Sequence, residues 1–276
     1  MPVLLTTAYF PPVSYFAVMA SEMGGLQNIK GGDRSEILSS PLIPSAVYIE
    51  ACENFQKQSY RTRCRIYAAD GVQDLSVPVI HEGSGHAMPI ASVKVDYSKD
   101  WLLRHKRAIV SAYRTSAYFD YYEDELFAIL DSRPQTLLEL NTEILKFFIR
   151  KTGLAVDLRM TEDYSPDGIV SGESSCRPSG DTSDSICNGL SGKVSDGISD
   201  GLCDNVPGGM SGSVSCRDLR SNIHPKRPDT LLADMGLEKP YFQVFSPKYG
   251  FKSNLSIMDL LFNEGPDSIL YLYPVS

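Results

Sequence analysis

A long polar stretch divides this chain into two parts that each have the pattern of folded protein. Over residues 161–229 about one-third of the residues are Ser or Gly, Asp residues are scattered, and aromatic residues are almost absent. Such a segment buries too little apolar surface to offset the entropy lost on ordering. We therefore predict a long flexible insertion at 161–229. Because a further strand pattern follows it near the end of the chain, we expect both parts to complete one domain over residues 1–276.

Strand patterns fill most of the first hundred residues. A helical pattern at 12–23 lies between the first two strands, which predicts a βαβ unit if those strands are parallel. Asp70-Gly71 is a strong turn signal and predicts a hairpin between the next two strands, at 63–68 and 74–80. The predicted strands cover residues 3–7, 46–51, 63–68, 74–80, 92–96, 240–245 and 268–273.

Helical patterns fill the middle of the chain. Ser132 is the expected cap of the longest helix, with Pro134 in its first turn and Gly153 after its end. Further predicted helices cover residues 100–113, 118–130 and 257–264, the last capped by Ser256. The fold class predicted from this order is α/β: a mixed sheet with a central helical segment, and one core interrupted by the insertion.

Composition and charge exclude several classes of protein. The formal net charge of −8 argues against a general nucleic-acid binder, which needs a concentrated positive face. No apolar run approaches the ~20 residues of a membrane span, and residues 1–19 lack the basic start of a secretory signal. We therefore expect a cytoplasmic protein with reduced cysteines. No C-x-x-C pair, P-loop or Gly-rich phosphate fingerprint occurs, so the sequence predicts no metal site and leaves any cofactor unknown.

Two arginines are the first candidates for a binding site. Arg61 and Arg63 are two residues apart and point the same way if the chain is extended there. Two guanidinium groups on one side suit a phosphate or a carboxylate. The alternative is a polar edge strand whose arginines pair with Asp or Glu.

A second candidate group lies on the predicted helix at 100–113. Trp101 and His105 are one turn apart, and His105 has the chemistry of a general base. The alternative is a packed, hydrogen-bonded core histidine. Tyr9 lies in a loop that follows the first strand, where ligands gather in α/β sheets, so it too is a candidate contact.

The order of the segments resembles the WbqC-like protein family, in its divergent Bacteroidetes-type form. The resemblance covers about residues 1–155 and 239–274, and the matching features include Tyr60 and Tyr113 in addition to the candidates above. Four segments carry it: TTAYFPPVSYFAVM, VYIEACENFQKQSYRTRCRIYAADGVQDLSVPVI, IASVKVDYSKDWLLRHKRAIVSAYRTSAYFDYYEDEL and FQVFSPKYGFKSNLSIMDLLFNEG.

The resemblance implies a role in bacterial surface-polysaccharide (O-antigen-type) precursor biosynthesis, without supplying a reaction. One hypothesis is a transferase that moves an acyl or aminoacyl group to an activated amino sugar. His105 would then be catalytic, and the substrate, a phosphorylated or carboxylated sugar-type molecule, would contact Tyr9, Arg61, Arg63, Trp101 and Tyr113.

The other hypothesis is a non-catalytic binding or scaffold protein of the same pathway. Family members open with a His-Gln-Pro motif, whereas this chain has Leu5-Thr6-Thr7 at the corresponding stretch. In this hypothesis the insertion docks a protein partner.

Overall fold

A four-stranded parallel sheet organises the molecule. The computed structural model describes residues 1–22, 44–80, 88–172, 212–227 and 229–273. All neighbouring strands of this sheet run in the same direction. Across the sheet the order is β5 (Val156–Met160), β2 (Ser45–Glu50), β1 (Val3–Thr6) and β8 (Arg217–Asp218).

The first strand is central, and its apolar residues Val3, Leu4 and Leu5 pack on both faces of the sheet. All four residues of β1 are buried, as expected for a parallel strand covered on both sides. Helix α1 (Val13–Ser21) follows, and its residues 13–20 are also buried. The predicted strand–helix–strand order is confirmed, and β1 pairs with β2 in parallel, with Val3 opposite Val47, so the three elements form a βαβ unit.

The predicted hairpin is present, although its second strand begins earlier than expected. Strands β3 (Arg63–Ala68) and β4 (Gly71–Ser76) pair antiparallel, and Gly71 takes a φ of +116° at the turn, which favours glycine. The strand expected at 92–96 is not formed. Isolated bridges join Lys94 to Thr136 and Val95 to Val79, after a 3₁₀ turn at Ile90–Ser92.

Three helices form the central helical segment. They are α2 (Trp101–Tyr113), α3 (Phe119–Asp131) and α4 (Leu137–Thr152). The cap of α4 is Thr136 rather than Ser132, because Thr136 and Glu139 form a reciprocal capping box. Gly153 ends α4 in the left-handed conformation, as predicted.

The last part of the chain is helical where a strand was expected. Two short helices, α5 (Leu231–Asp234) and α6 (Ser246–Tyr249), precede α7 (Ile257–Glu264), which Ser256 caps as predicted. The run at 268–273 lies within and after a 3₁₀ helix at Gly265–Tyr271, so the strand prediction is wrong there. Residues 240–245 form no strand either. At 268–273 the alternation of apolar residues was misleading, because this segment packs against α7 and α4 rather than pairing with a sheet edge.

The limits predicted for the insertion need correction. Residues 161–172 and 212–227 are described, and they contain an antiparallel pair, β6 (Ile169–Gly172) with β7 (Gly212–Ser215), as well as β8. These residues are structured because β6 pairs with β7 and β8 pairs with β1. Residues 173–211, at the centre of the predicted insertion, lie outside the described part of the chain.

One hydrophobic cluster joins elements from both ends of the chain. It contains Val3 of β1, Phe16 of α1, Phe148 of α4 and Phe262 of α7. The fold class is therefore α/β, with a parallel main sheet, separate antiparallel pairs and a central helical segment. Among the described residues no helix is both long enough and apolar enough to cross a membrane.

Candidate functional site: a basic basin

The carboxyl ends of the parallel strands bring several polar groups to one edge of the sheet. Strand β2 ends at Glu50 and β8 ends at Asp218, while Thr161 follows the last residue of β5. Ligand sites of open α/β sheets lie at this edge. The turns that follow these strands supply the walls of a cavity of about 630 Å³.

The cavity has a basic lining, and we call it the basic basin. Glu53, Asp218 and Tyr164 also line it. Its basic side chains are Arg61, Arg220, His224, Lys226 and Arg227.

Arg61 forms one wall through a two-pronged ion pair with Glu53. Its Nε and Nη2 atoms lie 2.7 and 2.5 Å from the two carboxylate oxygens of Glu53. The pair is buried, and Asn141 holds its backbone by donating to the Arg61 carbonyl at 2.9 Å. Burial raises the pKa of Glu53, and the hydrogen bonds from Arg61 oppose that shift. Arg61 Nη1 also donates to the Gln56 side-chain oxygen at 3.4 Å, so two of the five guanidinium N–H donors are not used in these contacts.

Arg220 forms a second part of the wall and connects three chain segments. Its Nη1 lies 2.9 Å from Oε2 of the fully buried Glu50, and its Nη2 donates to the Ser165 carbonyl at 2.7 Å. Asp218 accepts two further bonds from it, from Nε at 3.0 Å and Nη2 at 2.7 Å. The other oxygen of Glu50 accepts from Thr161 at 2.7 Å. These contacts fix Arg220 at the sheet edge.

Two cations at the rim, Lys226 and Arg227, make no contact with a carboxylate among the described residues. Lys226 Nζ contacts the side-chain oxygen of Gln58, and Arg227 Nη1 donates to the Ser221 carbonyl at 3.2 Å. Both partners are neutral. The walls thus supply directed donors from paired arginines, whereas Lys226 and Arg227 supply net charge, which together suits an anion.

His224 is a neutral donor in this setting. Burial and the nearby charges of Arg227, Arg61 and Lys226 lower the pKa of His224, so the ring is uncharged at neutral pH. Its Nδ1 accepts the Lys226 backbone N–H at 3.1 Å. The neutral ring therefore holds its proton on Nε2, where it can be donated to a ligand oxygen.

Three residues predicted from the sequence come together elsewhere, in what we call the aromatic cluster: Tyr9, Trp101 and His105. The Tyr9 hydroxyl and His105 Nδ1 are 2.9 Å apart, and the Trp101 and His105 ring centroids are 5.0 Å apart. His105 is only 5% exposed, and burial lowers its pKa to about 4, against the effect of a hydrogen bond with the Ser76 backbone. The cluster is buried among α2, β4 and the loop after β1.

The remaining predicted residues are in other places. Tyr113 is buried in the core, where its hydroxyl accepts the Tyr67 N–H at 3.3 Å and bonds to the Asp259 side chain. Arg63 is half-buried in β3, outside the lining of the basin. The expected extended Arg61–Arg63 pair does not form, because a turn closed by the Thr62 N–H and the Ser59 carbonyl places Arg61 before the strand.

Most residues of the basin were missed from the sequence. Tyr164, Arg220, His224, Lys226 and Arg227 all lie within the stretch interpreted as a flexible insertion. One signal was available: the run RDLRSNIHPKRPD at 217–229 is rich in basic residues and poor in Gly, unlike the residues before it.

Metal coordination has no evident location in the described part of the chain. No group of three or more His, Cys, Asp or Glu side chains there is arranged to hold a metal ion. The donor set of the basin, mainly guanidinium and ammonium groups, suits anions instead.

Fold and site together define an α/β protein with a basic basin at the carboxyl edge of its parallel sheet. Residues 45–177 match the model of the WbqC-like protein family, which confirms the resemblance predicted from the sequence. The matched segment includes Glu53, Arg61 and Tyr164 and ends before Arg220 and the rim.

Comparison with curated proteins gives one partial match, and its name states no function. The chain is 31% identical over 111 residues to "Uncharacterized protein Rv1507c" of Mycobacterium tuberculosis (strain ATCC 25618 / H37Rv), covering 40% of this chain and 47% of that protein. The chain thus spans about half the length of this curated relative. No solved structure matches the chain.

Proposed function

We propose that this protein binds a phosphorylated or carboxylated sugar-type molecule in the basic basin and acts in bacterial surface-polysaccharide precursor biosynthesis. The observation that carries the proposal is the pairing pattern of the cations. Arg61 and Arg220 are held by carboxylates, whereas within the described ranges the contacts of Lys226 and Arg227 are with neutral partners, at the rim of a cavity of about 630 Å³. The family resemblance supplies the biological setting of the proposal.

The proposed reaction is transfer of an acyl or aminoacyl group to an activated amino sugar. The amine nitrogen attacks the carbonyl carbon of an activated acyl donor, a C–N bond forms, and the bond to the leaving group breaks with its electron pair. The amine proton passes to a base. His105 is the proposed base: its lowered pKa keeps it neutral, and the Tyr9 hydroxyl orients its ring. His105 is 5% exposed and does not line the basic basin, so this reaction requires the amino group of the bound ligand to reach from the basin into the aromatic cluster.

The alternative, a non-catalytic binding or scaffold protein of the same pathway, is favoured by that burial and by Leu5-Thr6-Thr7 in place of the family's His-Gln-Pro motif. In this alternative the insertion docks a partner.

A deletion that tests this docking role should be confined to residues 173–211, because a wider one removes Tyr164 and Arg220. Gly172 and Gly212 are paired, so a short turn can join them. Unchanged partner binding by this variant would exclude the docking role.

Calorimetric titration of a nucleoside diphosphate amino sugar and a sugar phosphate tests the binding proposal. In the double variant Lys226→Gln/Arg227→Gln we expect affinity to fall by at least about tenfold, since charge-assisted hydrogen bonds are lost. The matched control is Arg107→Gln/Lys146→Gln, which removes the same charge from exposed helix positions. Equal affinities of the two double variants would contradict the proposal.

Product analysis then separates the enzyme from the scaffold. With an activated acyl donor present, the transferase yields an acylated amino sugar, and His105→Gln abolishes turnover while ligand affinity is retained. Binding without product over a panel of donors would support the scaffold alternative. Loss of turnover in Tyr9→Phe as well would support a role for the aromatic cluster.

A further inference from the structure

Tyr164 is an exposed aromatic side chain at the wall of the basic basin. It is 55% exposed and lines the same cavity as Arg61 and Arg227. The guanidinium carbon of Arg220 lies 5.3 Å from its ring centroid, within the range of a cation–π contact. Since more than half of the residue is exposed while Arg220 covers one part of it, aromatic surface is left open beside the cationic groups.

The position of Tyr164 is fixed by the wall behind it. Arg220, held by Glu50 and Asp218, also donates to the carbonyl of Ser165, the residue next to Tyr164. An aromatic side chain held in this way loses little freedom when a flat ligand packs on it, which favours binding. Tyr164 is therefore a preformed apolar surface within a polar basin.

We propose that Tyr164 is a stacking platform for the aromatic base of a nucleotide-linked ligand, whose phosphates contact Lys226 and Arg227. This inference rests on the proposed function and narrows the ligand to nucleoside diphosphate derivatives. A cavity of about 630 Å³ is far larger than a phosphate needs and lies within the usual size range of sites for whole organic ligands. Stacking on a tyrosine tolerates any base, because every base has a π-face.

The test compares UDP, inorganic pyrophosphate and glucosamine 1-phosphate by calorimetric titration. In the native protein UDP should bind more tightly than pyrophosphate. Tyr164→Ala should weaken UDP binding by about fivefold to 150-fold, the range for base–aromatic stacking, and leave pyrophosphate binding unchanged. Tyr164→Phe keeps the ring and should stay within about threefold of the native affinity. Tyr121→Ala is the matched control, because Tyr121 is 77% exposed and lies on α3.

The possible outcomes separate this inference from the proposed function. If pyrophosphate binding depends on Lys226 and Arg227 but UDP binds no more tightly, the base platform is wrong and the anion site stands. If Tyr164→Ala weakens glucosamine 1-phosphate more than UDP, the platform holds a sugar ring and the inference is overturned. If glucosamine 1-phosphate binds but UDP and pyrophosphate do not, the base platform is wrong and the proposed function stands. If none of the three ligands binds, both proposals fail. Thermal unfolding of each variant verifies that the fold is retained.

Discussion

His105 in the aromatic cluster and His224 in the basic basin both have a pKa below that of a free imidazole, because both are withdrawn from water. Their surroundings otherwise differ. His105 is enclosed by Tyr9 and Trp101, whereas His224 is half-buried beside three cations and faces a cavity. A perturbed pKa therefore does not by itself locate a site. Access to the ring and the charges that a ligand would meet distinguish the two histidines.

The largest effect should come from breaking the wall of the basin. Arg220→Ala leaves the fully buried carboxylate of Glu50 without its cation, and we expect a loss of about 3–5 kcal/mol in the free energy of unfolding. Urea denaturation measures it. Arg217→Ala is the control, because Arg217 is more exposed and should cost less than about 1 kcal/mol. Recovery of stability in Arg220→Ala/Glu50→Gln would confirm that the unpaired charge is the cause.

A pH series should separate the two histidines. The pKa of His105 is lowered to about 4 in the folded protein, against 6.5 in the unfolded chain. The free energy of unfolding therefore keeps its full value above pH 6.5. It falls by about 3 kcal/mol as the pH drops to 4, because the unfolded chain takes up a proton on His105 that the folded protein does not. The native protein should therefore lose this amount relative to His105→Gln in urea denaturation between pH 7.5 and pH 4.

His224→Gln provides the comparison in the same pH series. Because His224 is more accessible to water, the stability difference between this variant and the native protein should change less with pH. An equal change in both variants would mean that the aromatic cluster and the basin do not differ in the way described above.

The smallest effect should come from a single hydroxyl. Tyr9→Phe removes the partner of His105 Nδ1 and should cost about 1–2 kcal/mol, the usual cost of an unsatisfied buried group. A double variant with His105→Gln, measured by urea denaturation, should show that the two changes are not additive. Full additivity would indicate that the 2.9 Å contact contributes nothing.

The sequence was most informative where one local signal decides the structure. Gly71 and Gly153 take conformations that favour glycine, and Ser256 caps its helix, so the hairpin and the helix ends were predicted close to their true positions. Prediction failed where distant packing decides: the apolar run at 268–273 alternates like a strand but packs as a 3₁₀ helix against α7 and α4.

The site was harder to predict than the fold for the same reason. Arg61 was a candidate because a second arginine, Arg63, lies two residues away. Arg220, which lines the same basin, meets Glu50 across 170 residues of chain, and no periodicity in the sequence reports such a contact. Tyr9 was a separate candidate from Trp101 and His105, the structure brings the three together, and their role stays a prediction.

The position of β1 in the sheet has a consequence for the order in which the chain can fold. Strand β1 is central in the sheet, and its neighbour β8 is synthesised more than two hundred residues later. When a nascent chain has been synthesised as far as α4, the edge of β1 is still unpaired, and Arg220 is not yet present to pair with Glu50. Contacts of such long sequence separation slow folding and favour help from chaperones. A fragment cut to the family-matched residues 45–177 would lack β1 altogether, leaving the buried side chains of β2 without their partner.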